Sequence, residues 1–288
     1  MDMKQLENES KYHTHITPKH SWLNLNLKEV WRYRDLIGLF TNRNFSVKYK
    51  QTILGPAWLF LNPFLTSIIY TFVFGGIAGM STDGVPQILF YLCSNAIWTY
   101  FSTCVTQNST TFTSNASVFG KVYFPRLTIP ISNVMSAVIQ FGIQMLLVCG
   151  FLAYYFFVGA VHPNWFAWLL IPIVLFHLGL MGLGCGIIIS SLTTKYRDLS
   201  ILVTFGVQLW MYATPVVYPL SQLGDGMMKT VLMINPVTGP VELFRYAVLG
   251  QGTISAACYI GSWVFTLVVV LIGIMIFNKV EKTFMDTV

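Results

Sequence analysis

The chain has 288 residues, 55% of them hydrophobic and 10% charged, with a formal net charge of +6. Soluble domains carry about 25% charged residues. This composition, with a mean hydropathy of +0.62, therefore excludes an ordinary soluble globular protein. Nine of the seventeen Lys and Arg lie in the first fifty residues, a distribution unlike a nucleic-acid footprint. Those fifty residues hold no early apolar run, so no signal peptide is expected and insertion relies on an internal segment.

Residues 1–27 are polar, contain His13, His15, Pro18 and His20, and read as a flexible arm. The histidines are too widely spaced for a metal-binding tract. Residues 28–50 predict an amphipathic helix. Tyr33, Leu36, Ile37, Phe40 and Val47 fall near one face, and Arg32, Asp35, Arg43, Lys48 and Lys50 occupy the rest. A basic amphipathic helix next to a membrane is expected in the headgroup plane; packing on a partner is the alternative.

Residues 51–280 form a single membrane domain. A spanning helix needs about 20 mainly apolar residues. Six runs meet that need: Ile53–Phe74, Gln87–Val105, Ile129–Val158, Trp165–Leu192, Leu199–Tyr218 and Tyr259–Phe277. None contains Asp, Glu, Lys or Arg. The expected fold is an all-α membrane protein with six transmembrane helices. Between the second and third runs, residues 106–126 are rich in Ser, Thr and Asn and end in Lys121, Tyr123, Phe124, Pro125 and Arg126. That interval is long enough for a short helix parallel to the membrane.

Residues 219–250 are irregular, broken by Pro219, Gly224, Gly226, Pro236, Gly239, Pro240 and Gly250. The apolar pieces Val231–Ile234 and Leu243–Leu249 are too short to span and predict re-entrant half-helices; an ordinary surface loop is the alternative. Irregular backbone inside a bilayer must be buried in protein or line water. Glu242 and Arg245, three residues apart, are placed to pair on one helix face. Residues 281–288 are a short tail. With six spans, fifteen Lys and Arg fall on the side of the termini and two, Lys229 and Arg245, on the other. By the positive-inside rule both termini are cytoplasmic.

The chemistry that would power transport is missing. The spans hold no charged residue, where ion-coupled carriers keep ionisable groups. His177 is the one titratable side chain of note there, and it reads as a packing hydrogen-bond donor. The sequence has no GxxxxGK[ST], so the chain has no P-loop for ATP, and no HExxH or GxSxG to suggest an enzyme. The five cysteines form no CxxC pair and read as small apolar residues; no metal site is expected. Gly182 and Gly186 form a GxxxG, a signal of close helix packing. Eight aromatics in the runs (Trp58, Phe64, Tyr70, Tyr91, Trp98, Tyr100, Trp210 and Tyr212) are candidate channel-lining residues, because aromatic faces stack on sugar rings.

Trp31–Pro63, with its turn Tyr49-Lys50-Gln51-Thr52-Ile53-Leu54-Gly55, resembles the start of permease subunits of ABC exporters for O-antigen, capsular and teichoic-acid polysaccharides. The run Lys121–Arg126, the KYRD at Lys195–Asp198 and the segment Asn235–Gly250 match the same family in order. Asn42-Arg43-Asn44 departs from it, since relatives often carry a more charged Arg-Asp pair. The resemblance implies a homodimer with two ATPase subunits beneath it. ATP and Mg would be bound by that partner, with no cofactor in this chain. It implies ATPase coupling through Ser109, Phe112, Phe119, Lys121, Tyr123, Phe124 and Arg126. It also implies contact of Arg43, Lys48 and Lys50 with the diphosphate of an undecaprenyl-linked polysaccharide, contact with membrane lipids, and a periplasmic gate including Pro236, Glu242 and Arg245. The implied location is the bacterial inner membrane, with no nucleic-acid partner. A small-molecule (drug) permease, a membrane-embedded enzyme of polysaccharide assembly and a non-transporting scaffold remain as alternatives.

Overall fold

The computed structural model describes residues 27–287 apart from 51, 195, 197 and 225, with side chains for 28–47, 50 and 52–280 within that range. The expected arm and its histidines, the side chains of Lys48, Lys195 and Arg197, and the C-terminal tail's side chains lie outside the described residues. The described residues are helical, with no strand among them.

The chain enters through α1 (Leu27–Arg32) and α2 (Arg34–Tyr49), separated at Tyr33, whose ψ of 22° interrupts the helix. A 3-10 turn at Gly55–Ala57 leads into α3 (Trp58–Tyr70). Pro63 lies inside α3, and a π-helical turn over Thr71–Ile77 follows. Pro63 has no N–H to give to the helix ladder. α3 buries only Leu59, Pro63 and Ser67.

Next comes α4 (Gln87–Ser109), uninterrupted by Gly or Pro and the most thoroughly buried of the long helices. Two four-residue helices, α5 (Thr111–Ser114) and α6 (Ala116–Phe119), occupy the interval in which a short helix was expected. They are followed by α7 (Thr128–Phe157), about 45 Å long at 1.5 Å per residue. A 3-10 turn at Trp165–Leu170 opens α8 (Ile171–Thr193), then α9 (Leu199–Tyr212), α10 (Met227–Ile234), α11 (Thr238–Leu249) and α12 (Ala256–Thr287).

Among the described residues, five helical segments are long and apolar enough to cross a bilayer: Gly55–Ile77, Gln87–Ser109, Thr128–Phe157, Trp165–Thr193 and Ala256–Val280. The remaining expected run, Leu199–Tyr218, is helical only over Leu199–Tyr212. Pro215 cannot continue a helix and disfavours it in the residue before. Thr214 bonds back to the Trp210 carbonyl at 2.9 Å, and the chain turns so that the Tyr218 hydroxyl donates to the Tyr212 carbonyl at 3.0 Å.

Helices in lipid gain little by burying apolar side chains against each other, because acyl chains are equally apolar; close packing and hydrogen bonds hold them together. Here α8 is the packing hub. A Cβ on Gly179 would lie 2.4 Å from the Tyr100 hydroxyl, on Gly182 2.6 Å from Cys104 Cβ, and on Gly186 2.4 Å from Asn108 Cβ. These three glycines let α8 approach α4. Gly184, on the opposite side, admits Val270 of α12, where a Cβ would come within 2.9 Å. The GxxxG is thus two of the three glycines in a longer stripe facing α4. The Tyr100 hydroxyl donates across this contact to the Leu175 carbonyl at 3.0 Å. His177 is fully buried beside α12, its ring stacked on Trp263 at 4.0 Å and its Nε2 3.0 Å from Thr266 Oγ1. Both hold α8 to α12.

The outer faces are apolar. Leu65, Ile68, Ile69 and Phe72 of the first crossing stand exposed, as do Ile201, Leu202, Phe205 and Leu209 of α9 and Leu267, Val268, Leu271 and Ile272 of α12. Continuous apolar surface on this scale marks a membrane or partner contact.

Candidate functional site

Three regions concentrate the polar and aromatic chemistry. The first is the interval after α4. Phe112, Phe119 and Phe124 are buried together with Phe40, Ile129, Ile187 and Phe277. Phe119 stacks on Phe124 at 5.7 Å, Phe124 meets Phe40 at 5.7 Å, and Phe112 meets Phe277 at 5.0 Å. One aromatic knot thus joins α2, the short helices, α8 and α12. Ser109 is also buried; its carbonyl accepts from Thr193 Oγ1 at 2.9 Å. Arg126 lies over the Phe119 ring at 5.7 Å. Of the seven residues expected to couple to an ATPase, four are therefore internal, Arg126 is half-buried, and Lys121 and Tyr123 stand exposed. Val122, also exposed, completes that tip and was missed from the sequence.

Polar contacts that sequence reasoning missed pin α2 to this region. Arg43 donates to Asn115 Oδ1 at 3.2 Å and covers the Phe40 ring at 4.7 Å. Asn44 donates to Asn133 Oδ1 at 3.0 Å, and Asn133 donates in turn to Asn108 Oδ1 at 3.1 Å. A chain of amides thereby links α2, α7 and α4. Phe40 is buried, and Tyr33 and Leu36 pack on the knot, whereas Val47, expected on the same apolar face, is 76% exposed. Of the three expected entrance cations, Arg43 is engaged with Asn115 and Lys50 is exposed, while the Lys48 side chain is outside the described residues.

The second region is the irregular segment before α12. Glu242 and Arg245 pair as their spacing predicts, with Nη1 2.7 Å from Oε1 and both side chains almost fully buried. Arg245 also donates to Ser94 Oγ at 3.2 Å and to the Pro215 carbonyl, and its guanidinium lies 4.4 Å over the Phe90 ring. Glu242 Oε2 accepts from the Thr253 amide at 2.9 Å. One ion pair therefore joins α11 to α4, to the turn after α9 and to the segment leading into α12. Gly250 ends α11 in the left-handed conformation (φ 73°), where a Cβ would meet the His162 carbonyl at 2.5 Å. Pro236 sits apart from the pair, its carbonyl accepting from Ser262 Oγ of α12. Asn235 accepts from Trp210 Nε1 at 3.0 Å and donates to the Ala213 carbonyl at 2.7 Å, tying the α10–α11 junction to the end of α9. Beside Glu242 lies a cavity of about 220 Å³ closed by Thr253–Tyr259.

The third region is the set of candidate channel aromatics. Tyr91, Trp98 and Tyr100 are buried in the chain's own core, covered by its own helices. Tyr70 sits edge-on to Tyr91 at 6.0 Å, Phe64 lies against Phe151 at 5.9 Å, and Trp210 lies edge-on to Phe101 at 5.4 Å. Trp58 and Tyr212 are exposed. Among the described residues no group of three or more His, Cys, Asp or Glu could hold a metal ion.

An all-helical bundle with five membrane-length helical segments among the described residues, and a buried Glu–Arg pair on the second of two short helices, describes a multi-pass membrane protein. The chain belongs to the ABC-2 type transporter family, whose profile matches residues 35–249. It is 31% identical to an O-antigen export system permease protein RfbA of Klebsiella pneumoniae over 258 residues, covering 88% of this chain and 94% of that protein. A second protein of the same name and organism is 29% identical over the same coverage, and one from Myxococcus xanthus is 26% identical over 76% of this chain and 82% of its own length. The resemblance carried by the four sequence motifs is therefore shown at the level of family.

Proposed function

We propose that this chain is the membrane subunit of an ATP-driven exporter that moves a polysaccharide carried on undecaprenyl diphosphate across the bacterial inner membrane. The observation that carries the reading is the end-to-end match to O-antigen export permeases, which covers most of both chains. In this reading two copies enclose the channel and two ATPase subunits, holding ATP and Mg, dock beneath. Leu199–Tyr212 and the turn that follows complete a sixth crossing, which puts both termini in the cytoplasm as the Lys and Arg distribution favours. α1 and α2 lie in the headgroup layer, consistent with exposed Trp31, Leu39 and Val47 beside exposed basic residues.

Coupling to the ATPase runs through the exposed tip at Lys121–Tyr123 and is transmitted by the phenylalanine knot to α2, α8 and α12. α10 and α11 act as outer half-helices gating the channel, braced by Glu242 and Arg245. Arg43, Lys48 and Lys50 attract the lipid diphosphate at the cytoplasmic entrance. The test is co-purification with the ATPase encoded beside it, then ATP-driven movement of a lipid-linked glycan in liposomes. A stable pair that moves glycan supports the reading. A permease that binds no ATPase, or a pair that moves only small molecules, refutes it.

A further inference from the structure

Three polar stripes lie at helical spacing of four: Asn62 and Thr66 in the first crossing, Asn95, Thr99 and Thr103 on α4, and Gln140 and Gln144 on α7. Residues four apart share a helix face. The fold turns all three stripes toward one groove of about 200 Å³, with Trp58, Leu59 and Pro63 at its edge. Each stripe falls near the middle of its membrane-length segment: Thr66 within Gly55–Ile77, Thr99 within Gln87–Ser109, and Gln140 and Gln144 within Thr128–Phe157. The groove therefore sits near bilayer mid-depth, where acyl chains offer no hydrogen bonds and polar side chains mark a substrate path or a buried contact.

One polar side chain of the groove, Gln144, is not satisfied by its neighbours. Gln144 is 6% exposed, yet its Oε1 has no hydrogen-bond partner. Thr99 reaches Asn95 Oδ1 only at 3.5 Å. Buried polar atoms are nearly always paired, so an orphan at this depth points to an absent occupant. The lining chemistry narrows what that occupant is. It has no charged side chain, so it holds no counter-charge for a phosphate or an ion. Amides and hydroxyls both donate and accept, which suits neutral hydroxyl groups, and Trp58 adds an aromatic face for an apolar ring surface. The volume is below the 300–1,000 Å³ of sites for drug-sized ligands and suits one sugar ring. Asn95, Gln140 and Gln144 are each more than nine-tenths buried.

We infer that this groove is a glycan-contact subsite, in which the side chains of α4 and α7 hydrogen-bond the hydroxyls of a neutral sugar residue as the polymer passes mid-membrane. The inference rests on the polysaccharide-export reading and adds to it where this chain touches the polymer.

The test uses the complete exporter in cells that make its polymer. Gln144→Met and Gln140→Met keep side-chain length and remove the hydrogen bonds; Thr99→Val keeps shape. Leu146→Ala, on the exposed face of α7, is the control. The readouts are the rate at which polymer reaches the cell surface per membrane-inserted complex, and the mass of the extracted assembly. The expected result is an export rate lower by about fivefold in each groove variant, the factor given by one lost hydrogen bond of ordinary net strength. Assembly mass stays unchanged and the control exports normally. Groove variants that export at the wild-type rate overturn the subsite. Variants whose assembly falls apart also overturn it, because the groove is then a contact between subunits. A wild type that exports no polysaccharide refutes the proposed function, and the subsite with it.

Discussion

The sharpest prediction concerns Arg245. Its guanidinium is 2% exposed and is held by Glu242 at 2.7 Å, Ser94 at 3.2 Å, the Pro215 carbonyl and the Phe90 ring at 4.4 Å. Replacing it by methionine removes the charge and leaves the Glu242 carboxylate buried, still accepting from the Thr253 amide N–H. Removing one member of a buried pair costs about 3–5 kcal/mol, because the other charge is left uncompensated. Glu242→Gln is milder. The amide oxygen still accepts from Nη1, but the Arg245 charge loses its counter-ion and the amide nitrogen cannot accept from the Thr253 N–H, so the expected loss is somewhat smaller than for Arg245→Met, about 2–4 kcal/mol. Replacing both residues with apolar ones of similar volume removes both charges together, and the double variant is expected to recover at least half of the loss in Arg245→Met. The assay is thermal unfolding of the detergent-purified protein, where about 4 kcal/mol corresponds to a fall in Tm on the order of 10 °C. An Arg245→Met variant within about 1 kcal/mol of wild type, or a double variant whose loss equals the sum of the singles, would refute the argument.

Other outcomes follow from particular contacts. Gly186→Ala places a Cβ 2.4 Å from Asn108 Cβ and 3.0 Å from the Val105 carbonyl, so α4 and α8 must separate at a cost of about 1–3 kcal/mol. Gly206→Ala in α9 meets nothing within 4 Å and is expected to be neutral or to stabilise by up to about 1 kcal/mol; the two variants unfolding alike would count against the packing account. Phe124→Ala opens the phenylalanine knot and is expected to destabilise by about 3–5 kcal/mol. Tyr123→Ala, at an 84% exposed position, is expected to leave folding intact and to lower export per ATP hydrolysed. If Phe124→Ala unfolds like wild type, the knot does not hold this segment. His177→Leu loses contacts to Thr266 and Ser262, both of which keep other partners, so a loss of about 1 kcal/mol is expected. The pH profile of export should be unchanged; a shifted profile would instead make His177 a proton carrier.

The sequence by itself determined the class of protein and the order of its parts. A 23-residue stretch without charge, such as Gln87–Ser109, has to be a helix in a bilayer, because only helices and closed barrels satisfy their backbone there. Pro and Gly between 219 and 250 announced two helices too short to cross, and the three-residue spacing of Glu242 and Arg245 announced their pairing. These are local properties, legible from periodicity and breakers. Only the tertiary structure decided which face of each helix turns inward. It buried Phe112, Phe119, Phe124 and Trp98 while leaving Tyr123 and Tyr212 outside, stopped α9 at Tyr212, and linked Asn44 to Asn108 through Asn133. The reason is physical. In water the inward face of a helix is its apolar stripe, but in lipid both faces are apolar and hydropathy no longer marks the inside. What marks it instead is the fit of glycines, amides and rings between helices far apart in sequence, as where Gly186 meets Asn108.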